Sequence, residues 1–513
     1  MIEISWGENM KFKFIAILLV LSCTMSFAFA GGNKETKKAE GIKIQDTVRL
    51  NIATEPDSLN PWISAASDTA AIFNNVFEGL MSYDDKGTLY PQVCSSYTLS
   101  EDKLTYTFNL RDDVYFHNGK HLTSDDVLYS YESFTKDSTS SYRFSLIEAI
   151  SIPDDYTFVV TLKNQSTSFL ISTTTSTILP RGYEEQSIKP IGTGAYKFVS
   201  YTPSQKMVFV KNDKYYDEYH MPSIENVVVY IMSDTSSVVA ALQSGQIDVA
   251  DIASSNADLF KKDYTVISGD RNMVTLLVFN NAIVPLDDAR VRKALTMGIN
   301  KKDVIDGVFD GYADPISSNL SPVFKEVYNK NLEGLYDRDI EGAKALLSDA
   351  GYPNGMDLEI TIPGIYWQHV DTAQIIQQNL AKIGVNVTIK TVEWGTWLDE
   401  VYYNRNFTST IIGIDGKLDP FESLKRYETT ASNNFMNYSN NEYDSLIEKA
   451  ITSTEEQKIQ IYKEAQRVVA EDAGCAFICS PKNIVAMRPD LKGFKFYPVY
   501  FIDFSSLYYV DVK

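Results

Sequence analysis

Side chains able to make and break bonds are few in this chain, and their spacing works against a shared site. Four histidines occur in 513 residues: His117, His121, His220 and His369. His117 and His121 stand four apart, a spacing at which a helix would present two metal ligands. Asn118-Gly119 lies between them, and that dipeptide favours a turn instead. The carboxylate pairs Asp125-Asp126 and Asp287-Asp288 open stretches of helical periodicity. The positive end of a helix dipole accounts for acid there without catalysis. The sequence contains no G-x-S-x-G elbow, Walker loop or H-E-x-x-H pair. Gly192-Thr193-Gly194 begins like a dinucleotide fingerprint, but Lys197 stands where the last glycine is required. No local motif assembles a nucleophile, a base and an oxyanion stabiliser. No catalytic residue, metal site or cofactor is expected.

The four cysteines point the same way. Cys23 lies near the start; Cys94, Cys475 and Cys479 lie in the body. Cys475 and Cys479 sit in AGCAFICSP, which reads as a strand. Four residues of strand span roughly 13 Å, beyond the reach of a disulfide. The spacing also fails to match a zinc knuckle, so buried free thiols are expected.

Charge excludes another class. The chain holds 67 acidic and 47 basic residues, a formal charge of −20. With no Lys/Arg run to interrupt it, such a surface repels polyanions, and no nucleic-acid partner is expected. Tyr (32) and Phe (26) are plentiful. Most belong in cores, but aromatic rings also suit the wall of a cleft for organic ligands.

The chain begins like an exported protein. Lys11 and Lys13 form a basic n-region, FIAILLVL (14–21) an apolar h-region, and Ala28-Phe29-Ala30 a cleavage site before Gly31. The apolar run falls short of the roughly 20 residues of a membrane helix. Met10 is an alternative start, because Glu3 and Glu8 do not suit an n-region. Val-Leu-Ser-Cys (20–23) faintly resembles a lipobox, which leaves two fates open: cleavage after Ala30, or lipidation at Cys23. Residues 31–45 are polar and Lys-rich, as a tether would be.

The elements that must position any site form a mixed α/β pattern. TVRLNIA, from Thr47, alternates as a strand. TYTFNL (105–110), YTFVVTL (156–162), MVFVKN (207–212) and NVVVYIM (226–232) read as further strands. LTSDDVLYSYESF (122–134) reads as a helix with Thr123 and Asp126 as a capping box. DTSSVVAALQSG (234–245), DIEGAKALLSDAG (339–351) and DTAQIIQQNLAKIG (371–384) are helices closed by glycine. Asp287 is placed to cap a helix over 287–300, and Gly192 and Gly194 to permit a tight bend. A helix ending in glycine and feeding a strand, as at Gly384 before VNVTIK, is a unit of an α/β lobe.

Several motifs in order carry a family resemblance. They are DSLNPW (57–62), NNVFEGLMSYDDKGTLYPQV (74–93), EDKLTYTFNLRDDVYFHNGKHLTSDDVLYS (101–130), PIGTGAYKFVSY (190–201), ALQSGQIDVA (241–250), FNNAIVPLDDARVRKAL (279–295) and AKALLSDAGYPNGMDLEI (343–360). The chain resembles the bacterial ABC-transporter extracellular solute-binding proteins of family 5, the peptide, oligopeptide and nickel class, from about Arg49 to its end. The resemblance implies an α/β, two-lobed, periplasmic-binding-protein type II-like (Venus flytrap) fold with an extra inserted domain. It divides the chain into a signal peptide (1–30), a flexible linker (31–45), lobe I (46–62, 190–280 and 485–513), an inserted domain (63–189) and lobe II (281–484). Strands around 275–281 and 484–489 would cross between the lobes.

The resemblance also implies the site. In peptide-binding members an Asp of lobe II pairs with the ligand's α-amino group, within a segment like G-W-x-x-D-x-x-D-P. The corresponding run is IIGIDGKLDPFESL (411–424), which lacks the Trp and sets Asp415 one residue farther from Asp-Pro. Asp415 is the candidate and Asp419 the alternative; both also suit the turn before Pro420. Trp394 and Trp397 match a segment near the cleft, and Tyr366 and Trp367 follow a strand where they would wall a pocket. The implied role is capture of a short peptide outside the cytoplasm, by a monomer whose lobes close on the ligand and deliver it to ABC permease subunits. Three other readings stay open: a nickel chelate or oligosaccharide as ligand, docking to a membrane sensor, and a secreted hydrolase. The hydrolase would need two carboxyl groups roughly 5–10 Å apart.

Overall fold

The computed structural model describes residues 46–64, 66–137, 144–166 and 168–511. The expected signal peptide, Cys23 and the linker 31–45 lie outside them. Three sheets organise the described chain. The first joins Thr47–Ile52, Tyr196–Thr202, Lys206–Lys211 and Asn226–Ile231. Its first strand runs parallel to its last, with Thr47 opposite Asn226. Every second residue of Thr47–Ile52 is buried, as the alternation of TVRLNI requires.

The second sheet forms from the stretch between those strands. Cys94–Leu99, Thr105–Leu110, Thr157–Leu162 and Ile147–Asp154 make a four-stranded antiparallel sheet. Phe108, Phe158 and Tyr131 fill its inner face, with the Tyr131 and Phe158 rings 4.9 Å apart.

The third sheet has eight strands and is built around one of them, the 13-residue strand Cys475–Met487. Its first half pairs with Met273–Phe279 and Ala313–Pro315. Its second half pairs with Thr265–Asp270 and Val249–Asp251. Beyond Met273–Phe279 the sheet continues through Ser409–Asp415, Met356–Pro363 and Val385–Val392. Met273–Phe279 is apolar at nearly every position because both of its faces are covered. Leu277 and Phe279 join the core on one face, and Leu276 and Val278 the core on the other.

Local signals explain most element ends. Asp234 accepts from the Ser237 amide, and Thr454 and Gln457 form a reciprocal capping box. Three expectations change. Asp288, not Asp287, caps the helix Ala289–Gly298, by accepting from the Arg290 amide at 2.8 Å. The helix expected from Asp371 already begins at Trp367. Gly192 and Gly194 serve close packing, not a bend: a Cβ on them would sit 2.0 Å from the Val76 carbonyl oxygen and 2.4 Å from that of Asn75. Cys94, Cys475 and Cys479 are buried free thiols.

One ion cluster ties the ends of the chain together. The Asp248 side chain is fully buried. It accepts from the Arg49 amide at 2.8 Å, from the Arg49 guanidinium at 2.8 and 2.9 Å, and from Arg488 at 3.2 Å. Arg49 belongs to the first strand, and Arg488 follows the long strand Cys475–Met487. Removing the buried anion would leave two guanidinium groups facing each other. Asp248→Ala is expected to lower unfolding stability by about 3 kcal/mol. Urea titration of the mature chain measures it, and an unchanged midpoint at constant slope would count against this account.

Candidate functional site

The candidate site lies where the carboxyl ends of three strands meet the crossing segments. Met356–Pro363 runs parallel to Val385–Val392 and to Ser409–Asp415. Ligands of α/β sheets bind beyond such ends. Three sequence-predicted residues stand there: Tyr366 three residues past Pro363, Trp394 two past Val392, and Asp415 ending its strand.

Asp415 faces Met273 across the ladder, two residues from Arg271. Its carboxylate bonds the Arg271 guanidinium at 3.0 Å, and both side chains keep solvent contact, 66% for Asp415 and 43% for Arg271. Arg271 and Asn272 link Thr265–Asp270 to Met273–Phe279. The Arg271 carbonyl oxygen also accepts from the hydroxyls of Ser321 and Ser480. The guanidinium therefore springs from a backbone pinned beside the crossing strand.

Asp251 stands at the end of Val249–Asp251 and is solvent-exposed. Crowding by surrounding protein nevertheless pushes its carboxyl up to about 6, against the pull of Arg271 and with the help of Asp68. Tyr500, 39% exposed, feels the same surroundings: burial raises its phenol, and Asp251 and Asp68 add to the shift.

Asp419 has a different place. It is 5% exposed and caps the helix Pro420–Lys425 through the Phe421 amide at 2.9 Å. Its other oxygen accepts from the Ser168 hydroxyl at 2.5 Å. Burial pushes this carboxyl up to about 6, although both bonds oppose the rise. Both oxygens are committed, one to the cap and one to Ser168.

The aromatic residues form a stack with a floor and a face. Trp397 is 3% exposed and donates its indole N–H to the Thr410 hydroxyl at 2.9 Å. Trp394 lies flat on it, centroids 5.2 Å apart and planes 6° from parallel. Tyr366 meets Trp394 edge-on at 5.5 Å. Trp397 is thus core support for the half-buried Trp394, while Tyr366 and Trp367 are exposed. His369 connects this stack to the strand Ser409–Asp415. Its Nε2 accepts from the Gly413 amide at 3.0 Å, and its ring lies 5.2 Å from Tyr366. Neither Arg271 nor Asp251 was picked out from the sequence. His369 was read there only as a scarce histidine.

The remaining histidines are engaged elsewhere, His220 with the Asp217 carboxylate at 2.6 Å. His117 bonds the Gly194 carbonyl and His121 that of Asp112, on either side of Gly119 with its φ of +86°. Among the described residues no three metal-binding side chains converge. None of the helices among them is long and apolar enough to cross a membrane.

Comparison with known proteins fits this architecture. The family described as bacterial extracellular solute-binding proteins, family 5 Middle, matches residues 88–435. Heme-binding protein A of Haemophilus influenzae is 26% identical, covering 93% of this chain and 95% of that protein. The dipeptide-binding protein of Escherichia coli is 27% identical, covering 86% and 90%. The solved ABC transporter substrate-binding protein CtaP of Listeria monocytogenes superimposes with a TM-score of 0.82 at 25% identity, covering 92% of this chain and 100% of that one. The chain belongs to the bacterial extracellular solute-binding proteins of family 5 and has their two-lobed α/β fold.

The His369 environment sets a pH dependence. Burial lowers its pKa from 6.5 to about 4. Between those values the folded chain binds fewer protons than the unfolded one. The stability that goes with neutral His369 is complete above pH 6.5 and is lost as pH falls toward 4. The melting temperature should therefore fall less steeply between pH 7 and pH 5 in His369→Gln than in the wild type. Scanning calorimetry at both pH values checks this, and parallel slopes would contradict it.

Proposed function

We propose that this protein captures short peptides outside the cytoplasm and delivers them to the permease of an ABC importer. Lobe I comprises about 46–62, 190–280 and 485–513, the inserted domain 63–189 and lobe II 281–484, with Met273–Phe279 hydrogen-bonded into the sheet of lobe II. The lobes close by bending at Arg271-Asn272 and at the matching point of the long strand, near Pro481, whose carbonyl oxygen accepts from the Arg271 amide. Residues 1–30 direct export, and Cys23 is a candidate for lipidation. The protein works as a monomer.

The observation that carries the peptide reading is the state of Asp415. It is a strand-end carboxylate, open to solvent, whose one side-chain partner among the described residues is a guanidinium that is itself exposed. An ion pair so hydrated contributes little, about 0–1 kcal/mol. A ligand ammonium can therefore exchange for Arg271 at small cost, which frees Arg271 to meet a carbonyl or carboxylate of the same ligand. Tyr366, Trp367 and Trp394 supply an apolar wall, with Trp397 holding Trp394 flat. Asp419 and Trp397 act through structure, not by touching ligand. The resemblance to a dipeptide-binding protein supports this reading.

Native mass spectrometry of the mature protein tests the ligand class. Mixed short peptides should co-purify, whereas a sugar, a metal chelate or a heme as sole ligand would overturn the peptide assignment. Asp415→Ala should weaken binding of a peptide so recovered by about 2 kcal/mol, because an enclosed ammonium loses its charge partner. Titration calorimetry reads that loss, and unchanged affinity would remove Asp415 from the site.

A further inference from the structure

The inserted domain and lobe II meet without sharing a core. Phe77, Phe108 and Phe169 of the inserted domain are buried in one cluster with Val48 and Val229 of lobe I. The two cores of lobe II, around Leu277 and around Phe421, contain no described residue of 63–189. Domains joined in that way move relative to one another without exposing an apolar face. A polar contact spans the join. Ser168 stands at the N-cap of the short helix Phe169–Ser172, where a serine hydroxyl ordinarily serves its own helix. It forms no cap bond there. The hydroxyl reaches instead to lobe II, 2.5 Å from Asp419 Oδ2 and 3.4 Å from Glu422 Oε1. Beside it, Leu418 Cδ1 lies 3.8 Å from where a Cβ on Gly87 would stand.

The hydrogens at this contact are one too few. Ser168 has a single hydroxyl hydrogen and two carboxyl oxygens before it. Asp419 Oδ1 is occupied by the Phe421 amide, which leaves Oδ2 as the place for another proton. With a proton on Oδ2 the chain is complete: Asp419 donates to Ser168 Oγ, and Ser168 donates to Glu422. We propose that Ser168, Asp419 and Glu422 form a catch that holds lobe II against the inserted domain, and that closing it takes up one proton from solution onto Asp419. The inference rests on the reading that the lobes open and close; it does not depend on the class of ligand. The charges facing Asp419 agree with it. Burial, the largest influence, and Glu422 push its carboxyl up to about 6, while Ser168, the Phe421 amide and Lys458 of the helix Glu455–Glu471 pull it down. When the lobes part, Oδ2 returns to water and the carboxyl to the usual aspartate value of about 3.9. The closed form therefore binds this proton more tightly than the open form. That advantage is complete below the open value and is lost as pH rises through about 6.

Spin labels on Glu148→Cys in the inserted domain and Glu448→Cys in lobe II, both exposed positions, read the separation of the two. Cys94, Cys475 and Cys479 are buried away from the label. Pulsed dipolar spectroscopy of the ligand-free mature protein should show the ratio of short to long distances rising about tenfold from pH 7 to pH 5. Asp419→Asn keeps the cap and offers an amide hydrogen to Ser168, so its ratio should be the same at both pH values. Ser168→Ala leaves the cap of Pro420–Lys425 untouched and should lower the ratio about tenfold at pH 5. A wild-type ratio that ignores pH would overturn the catch. So would an Asp419→Asn ratio that follows pH as the wild type does, or a Ser168→Ala ratio equal to the wild type's at pH 5. Tri-alanine titrated into the same proteins separates this inference from the peptide reading. Where it binds, its affinity for the wild type should rise between pH 7 and pH 5 and its affinity for Asp419→Asn should rise less; equal rises would count against the catch. Absence of binding counts against the peptide reading alone, and the distances still decide the catch.

Discussion

The strand Cys475–Met487 is the constraint on which the rest of the fold depends. Its first half is hydrogen-bonded into the sheet that carries Asp415, and its second half into the strands that carry Asp251. Backbone pairing does not stretch, so the two halves of the molecule hold their spacing along this strand while they remain free to tilt about it. The parallel link at Arg271-Asn272 doubles the connection. Two adjacent crossings permit a hinge and resist a twist. That is the mechanical requirement for lobes that open and close on a ligand.

The same arrangement sets an exposed ion pair beside the crossing. The carbonyl of Arg271 is held by Ser321 and Ser480, so its side chain emerges at a fixed point beside Asp415. The aromatic stack lies to one side of it, coupled to the anchor strand through His369. The exposed ion pair and the aromatic stack thus stand on neighbouring strand ends of one sheet.

Much of this was legible in the sequence. The alternation of TVRLNI, the two-sided apolar run MVTLLVF and the glycine-ended helices gave strands and helices close to those observed. Asp415, Tyr366 and Trp394 were reachable through ordered motifs, and they share one end of one sheet. Other features were not legible, because they depend on contacts distant in sequence. Trp394 and Trp397 look alike on the page, yet only Trp397 finds Thr410 and goes under. Gly192 and Gly194 look like hinge glycines, and only the approach of Asn75 and Val76 shows that they are spacers. Arg271 is an unremarked residue between two strands until Asp415, 144 positions later, is folded against it.

Two Asp–Arg pairs in this molecule show how burial divides structure from function. Asp248 is fully enclosed and saturated by Arg49 and Arg488, so separating it would strand a charge in a dry place. That pair is fixed, and it locks the first strand to the tail of the crossing strand. Asp415 and Arg271 have the same chemistry and nearly the same separation, 3.0 Å against 2.8 Å, but both stand in water. Solvent screens their attraction and can rehydrate either partner at little cost. The role proposed for Asp415 requires that property. An anchor must be held in place when empty without being held so firmly that a ligand cannot displace its partner. The difference between a lock and an anchor here lies in the water around the pair, not in the residues that form it.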